Sequence, residues 1–179
     1  MNVFVLCAGR CGSVSFSRAC DHLTNFSSGH ESLAVSVYGL DRFRYSDNHV
    51  EVDNRLSFFL GDLGERFPDA VFVHLVRDSG AAAASLLKRW GEPEGIVHAF
   101  ARGVLMRADE WPERDRLGVC EFYVDTVNAN IREFLVGREH VTVRLENVKQ
   151  DFAYFLDWVE AEGDLEGALA EWDVYHNAS

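Results

Sequence analysis

Hydrophobic residues in this chain fall into continuous runs and helically spaced runs, and the two kinds alternate. Residues 3–8 are apolar at every position and stop at Gly9, the pattern of a strand buried on both faces. Gly9-Arg10-Cys11-Gly12 reads as a turn. Phe16, Ala19, Cys20 and Leu23 then recur at helical spacing, so a helix starts near Ser13. A short second strand is predicted over 25–28, ending at Gly29-His30-Glu31, while 33–53 is mixed, increasingly polar and without a clear period. Leu56, Phe59, Leu60, Leu63 and Phe67 mark a helix that Pro68 stops. Residues 70–76 form the next buried strand, and Ala83, Leu86, Leu87 and Trp90 place a helix directly after it.

The same alternation continues to the end. Val97, Phe100, Ala101 and Val104 predict a helix past the Gly91–Pro93 break, and Leu117, Cys120, Val124, Val127, Ile131 and Phe134 predict a longer one. Residues 141–145 are a strand. Phe152, Phe155, Leu156 and Val159 lie on a helix, and a further helical turn is expected around 165–172. Strands alternating with helices imply an α/β fold, a three-layer α/β/α sandwich around a central, mostly parallel sheet. With no repeat or linker, the 179 residues are expected to form one domain, 1–179.

Charge narrows the partners. A net charge of −12, from 29 acidic and 17 basic residues, disfavours a nucleic-acid surface or a polyanionic acceptor. No apolar stretch approaches the ~20 residues that span a bilayer, and Met1-Asn2 leads into 3–6 with no basic leader, so no membrane partner and a cytoplasmic setting are expected. Cys7, Cys20 and Cys120 sit in apolar runs and read as buried free thiols; no second pair completes a zinc site, so no metal is expected. Cys11 is not placed as a phosphatase nucleophile, because Arg18 lies seven positions beyond it where that loop needs six.

In parallel sheets, ligands sit at the carboxyl ends of the strands. Two segments occupy such ends. In the first, Gly9 and Gly12 allow backbone amides to close around an oxyanion, the helix start adds a positive dipole end, Ser13 a hydroxyl and Arg10 a full charge. It is not a Walker A loop, having no lysine. In the second, Arg77 ends a strand and Ser85 lies eight residues on, so both can face one phosphate from the following helix.

Gly9-Arg10-Cys11-Gly12-Ser13 resembles the 5′-phosphosulfate loop of sulfotransferases, and Arg77-Asp78 with Ser85 resembles that family's 3′-phosphate site. Three other segments are similar to family features in the same order: His30-Glu31, the run Val143-Arg144-Leu145-Glu146-Asn147-Val148, and His176-Asn177 near the end. Ser79 and Ser32 stand where proline is usual, and the chain is shorter than the family norm.

The resemblance implies a P-loop NTPase-like topology and a reaction that moves a sulfuryl group from 3′-phosphoadenosine 5′-phosphosulfate to a hydroxyl or amine, without a metal. The acceptor would be a small molecule or a carbohydrate, and the product nucleotide 3′-phosphoadenosine 5′-phosphate. It implies that Gly9, Arg10, Cys11, Gly12, Ser13 and Val14 surround the 5′ end, and that Arg77 and Ser85 hold the 3′-phosphate. Arg10 would also stabilise the leaving oxygen. Glu31 is the first candidate for general base, then His30, then His49. Glu51, Asp53 and Arg55 are candidates to line the acceptor pocket, and the four tryptophans are read as core. Two other functions stay open: an ATP-dependent P-loop phosphotransferase, and a non-catalytic nucleotide-binding relative.

Overall fold

Strand β1 (Val3–Leu6) is fully buried, and its alternation divides the interior in two. Val3, Val5 and Cys7 enter one core with Phe16, Phe152 and Phe155; Phe4, Leu6 and Ala8 enter another with Leu86, Tyr123 and Ile131. A strand with a core on each face must be apolar throughout, which is what 3–8 displays. The computed structural model describes residues 1–34, 38–93, 95–106, 111–174 and 176; the expected asparagine at 177 lies outside the described residues.

The remaining elements are α1 (Ser13–Cys20), β2 (Ser27–His30), β3 (His49–Val52), α2 (Leu60–Arg66), β4 (Val71–Val76), α3 (Ser79–Leu87), α4 (Ile96–Ala99), α5 (Glu113–Leu135), β5 (His140–Arg144), α6 (Val148–Trp158) and α7 (Leu165–Ala170). The five strands form one sheet in the order β2-β3-β1-β4-β5, and every pair is parallel. Helices α1, α6 and α7 supply the first core, and α2, α3, α4 and α5 the second. This is the expected three-layer α/β/α sandwich with P-loop-like topology.

The sheet departs from the sequence expectation in two places. β2 begins two residues later than predicted, so Gly29 and His30 lie inside the strand and Glu31 just beyond it. β3 falls in the stretch that showed no period. Its sequence His-Val-Glu-Val hides a strand buried at all four positions, because Glu51 is fully buried and satisfied by the Ser32 amide, the Ser32 hydroxyl and His49 Nε2.

Topology leaves one crevice open. After β1 the chain turns into α1 on one face, and after the adjacent β4 it turns into α3 on the other. The carboxyl ends of β1 and β4 are therefore where the crossovers diverge, the usual place for a ligand in an open parallel sheet. Among the described residues no helix is long and apolar enough to cross a membrane.

Candidate functional site

The turn between β1 and α1 is wound through left-handed backbone at three of its four residues, with φ of +85° at Gly9, +58° at Arg10 and +90° at Gly12. Gly12 has no room for more: a Cβ there would stand 3.1 Å from both Leu145 Cδ1 and Trp172 Cζ3. Arg10 occupies the left-handed region at a cost of about 1–2 kcal/mol, and two hydrogen bonds hold it there. Its Nε donates to Ser85 Oγ (2.9 Å), and Arg77 Nη1 donates to its carbonyl oxygen (3.1 Å). Residues 67 and 75 positions apart thus meet over one turn.

Beyond the turn, α1 begins at Gly12 with no side chain capping it, so its first amides face out from the helix start. The contrast with α3 is direct, because Asp78 Oδ1 there accepts from the Ala81 amide (2.8 Å). Asp78 is thereby used as a cap and does not pair with Arg77. Ser13 Oγ, in the first turn of α1, lies 3.1 Å from His30 Nε2.

Two cavities meet at Arg10, Ser13 and Val14. The larger, about 710 Å³, adds Arg77, Ser85, Lys88 and Trp172, and no carboxylate is among the described residues that line it. In a chain of net charge −12 this is a concentrated positive pocket. The smaller, about 310 Å³, adds His30, Glu31, Asn54 and Arg55. Burial, followed by the neighbouring Arg89, lowers the Arg10 pKa from the usual arginine value, with Glu92 opposing.

Each candidate from the sequence now has a position. Gly9, Arg10, Gly12, Ser13, Val14, Arg77 and Ser85 all line one or both cavities. Cys11 contributes backbone only, since its side chain is buried in the core with Cys7. Glu31 reaches the smaller cavity from a φ of +52° and is ion-paired to Arg55 Nη1 at 2.7 Å. Burial lowers the His30 pKa, with Glu31 and Glu51 opposing, so the ring is neutral near pH 7.

Three expectations are corrected. His49 begins β3 at the opposite end of the sheet from the turn, locked between Ser27 Oγ and Glu51, and cannot act as a base there. Glu51 is fully buried and Asp53 is 1% exposed, so neither lines the smaller cavity, whereas Arg55 does. Trp172 packs edge-on against Phe16 and also walls the larger cavity, so it is not core alone.

Lys88 and Trp172 were missed as site residues. Lys88 had a signal, standing three positions after Ser85 on the same helix face. Trp172 had none, because a tryptophan on an apolar stripe reads as core. No protein-family model, curated protein or solved structure matches this chain.

Beneath the smaller cavity runs a chain of alternating charge. Arg55 reaches Glu31 and, at 3.9 Å, Asp53; Arg42 lies 3.6 Å from the far oxygen of Asp53. Asp53 also caps its own turn by accepting from the Arg55 amide. Burial nonetheless pushes the Asp53 carboxyl up to about 6. Among the described residues, no group of three or more His, Cys, Asp and Glu side chains is placed to hold a metal ion.

Proposed function

We propose that this chain is a sulfotransferase that moves a sulfuryl group from 3′-phosphoadenosine 5′-phosphosulfate to a hydroxyl or amine of a small acceptor. One observation carries the reading: Arg10, Arg77 and Ser85 converge, through two hydrogen bonds, at the uncapped start of α1. A nucleotide with anionic groups at both its 3′ and 5′ ends needs such a set, and one with a plain ribose does not.

The residues present suit that nucleotide. Two guanidiniums, the Lys88 ammonium and the Ser13 and Ser85 hydroxyls line a cavity within the ~300–1,000 Å³ range of small-ligand sites. The Trp172 side chain adds an aromatic wall to the same cavity.

In this reading the first α1 amides and Ser13 hold the 5′-phosphosulfate end. His30 orients Ser13: with its Nε2–H donating to Ser13 Oγ, the hydroxyl proton is directed to the ligand. Arg77 and Ser85 hold the 3′-phosphate. Arg10, at the junction of the two cavities, stabilises the phosphate oxygen as its bond to sulfur breaks. The acceptor oxygen, entering from the smaller cavity, forms the new bond to sulfur. Its proton passes to Glu31, which Arg55 holds in place, and 3′-phosphoadenosine 5′-phosphate departs.

The test is thermal unfolding with 3′-phosphoadenosine 5′-phosphate, AMP, ADP and ATP at equal concentration. At 100 times its dissociation constant the bound nucleotide adds about 2.7 kcal/mol. The 3′-phosphorylated nucleotide should give the largest shift. Equal shifts for all four, or magnesium-dependent phosphate transfer from ATP, would overturn the reading.

A further inference from the structure

The edge strand β5 faces α6 with Val141 and Val143, so strand alternation turns His140, Thr142 and Arg144 to the opposite side. There, between the edge of the sheet and α5, lies a cleft of about 530 Å³. Its floor is His74 of β4, only 5% exposed, whose Nε2–H donates to Asn128 Oδ1 at 3.1 Å. Burial lowers the His74 pKa; the Asn128 bond opposes it, and Arg132 and His140 act with burial. The floor is thus a neutral polar surface.

The walls are cationic. Arg77, Arg132, Arg144 and the His140 ring line the cleft, and Asp78 is its sole carboxylate among the described residues. Asp78 is occupied in capping α3, and Arg144 is held by Asp151 at 3.4 Å. Arg132 has no carboxylate partner among the described residues. With Arg144 paired to Asp151 and Asp78 still charged, Arg77 and Arg132 leave the cleft a net positive charge, in a chain with 29 acidic and 17 basic residues. Guanidiniums bind oxyanions through paired N–H donors.

We propose that this cleft is a second anion site, for a compact oxyanion of two or more negative charges such as a phosphate monoester or a diphosphate. It does not depend on the sulfotransferase reading. Arg77 lines both this cleft and the larger cavity, so an occupant here touches the residue that braces the β1–α1 turn.

The experiment titrates the full chain with inorganic diphosphate at constant ionic strength, following backbone amide shifts. Arg10→Ala serves as background, to weaken anion binding at the turn. In that background diphosphate should still saturate one site, with shifts centred on β5 and the C-terminal part of α5. Adding Arg132→Ala and His140→Ala, both exposed positions, should weaken it tenfold or more with little change in the melting temperature. Unchanged affinity in that triple variant would overturn the proposal. So would loss of all saturable binding with Arg10→Ala alone, or equal saturation by chloride.

Discussion

Replacing Arg10 by alanine separates holding a nucleotide from helping it react. Arg10 donates from Nε to Ser85, and its guanidinium borders both cavities. Loss of one charged hydrogen-bond partner should weaken 3′-phosphoadenosine 5′-phosphate by about 1.5–3 kcal/mol, roughly 10- to 100-fold. If Arg10 also meets the oxygen that gains charge as sulfur leaves, the transfer step should slow further, by about 10²–10³-fold in a single turnover with saturating donor. Arg10→Lys should recover part of the rate, since an ammonium can serve the same oxygen, but not the Ser85 bond made by Nε. The backbone gives an independent check. With φ at +58°, Arg10→Gly should be more stable to denaturant than Arg10→Ala by about 1 kcal/mol. A rate loss no larger than the binding loss would make Arg10 an anchor only and refute the electrostatic role.

The other expectations are as direct. Arg77→Ala should weaken the 3′-phosphorylated nucleotide by about 10- to 100-fold and AMP much less; equal losses in calorimetry would show that Arg77 acts only by bracing the Arg10 carbonyl. Glu31→Gln should lower turnover on an alcohol acceptor by about 10²–10⁴-fold with nucleotide affinity unchanged, and unaltered turnover would remove Glu31 as base. The Asp53 carboxyl, raised by burial to about 6 from 3.8, binds its proton more tightly in the folded chain. Its contribution is therefore full below pH 3.8 and lost as pH rises through about 6. Relative to Asp53→Asn, the wild type should gain about 2 kcal/mol of stability between pH 7 and pH 4 in denaturant titrations. A flat or opposite difference would mean that Arg42 and Arg55 outweigh the burial.

How far the chain could be read in advance depended on how far each feature is local. β1 and β4 are continuous apolar runs, and α1 and α6 carry apolar residues at helical spacing. Their identity follows from side-chain period and burial alone, both written in neighbouring residues. β3 was invisible for the opposite reason. His49 and Glu51 make it look polar, and only Ser32, in the turn after β2, and Ser27, at the start of β2, make their burial tolerable.

For the site, the sequence by itself determined which residue types stand at strand ends: the glycine turn with Arg10 and Ser13, and Arg77 eight positions before Ser85. The spacing of Arg77 and Ser85 is a helical property and needed no tertiary information. The bond from Arg10 to Ser85 did, because it exists only where β1 and β4 lie side by side while their helices leave on opposite faces. The tertiary structure likewise set where the candidate bases lie. Parallel strands send residues at strand starts and strand ends to opposite edges of the sheet. That puts His49 far from the turn and leaves His30 and Glu31, at the carboxyl end of β2, beside it. Local spacing sets which face a side chain takes, but strand order sets which side chains meet. Here strand order gathered the cations of an acidic chain around one helix start.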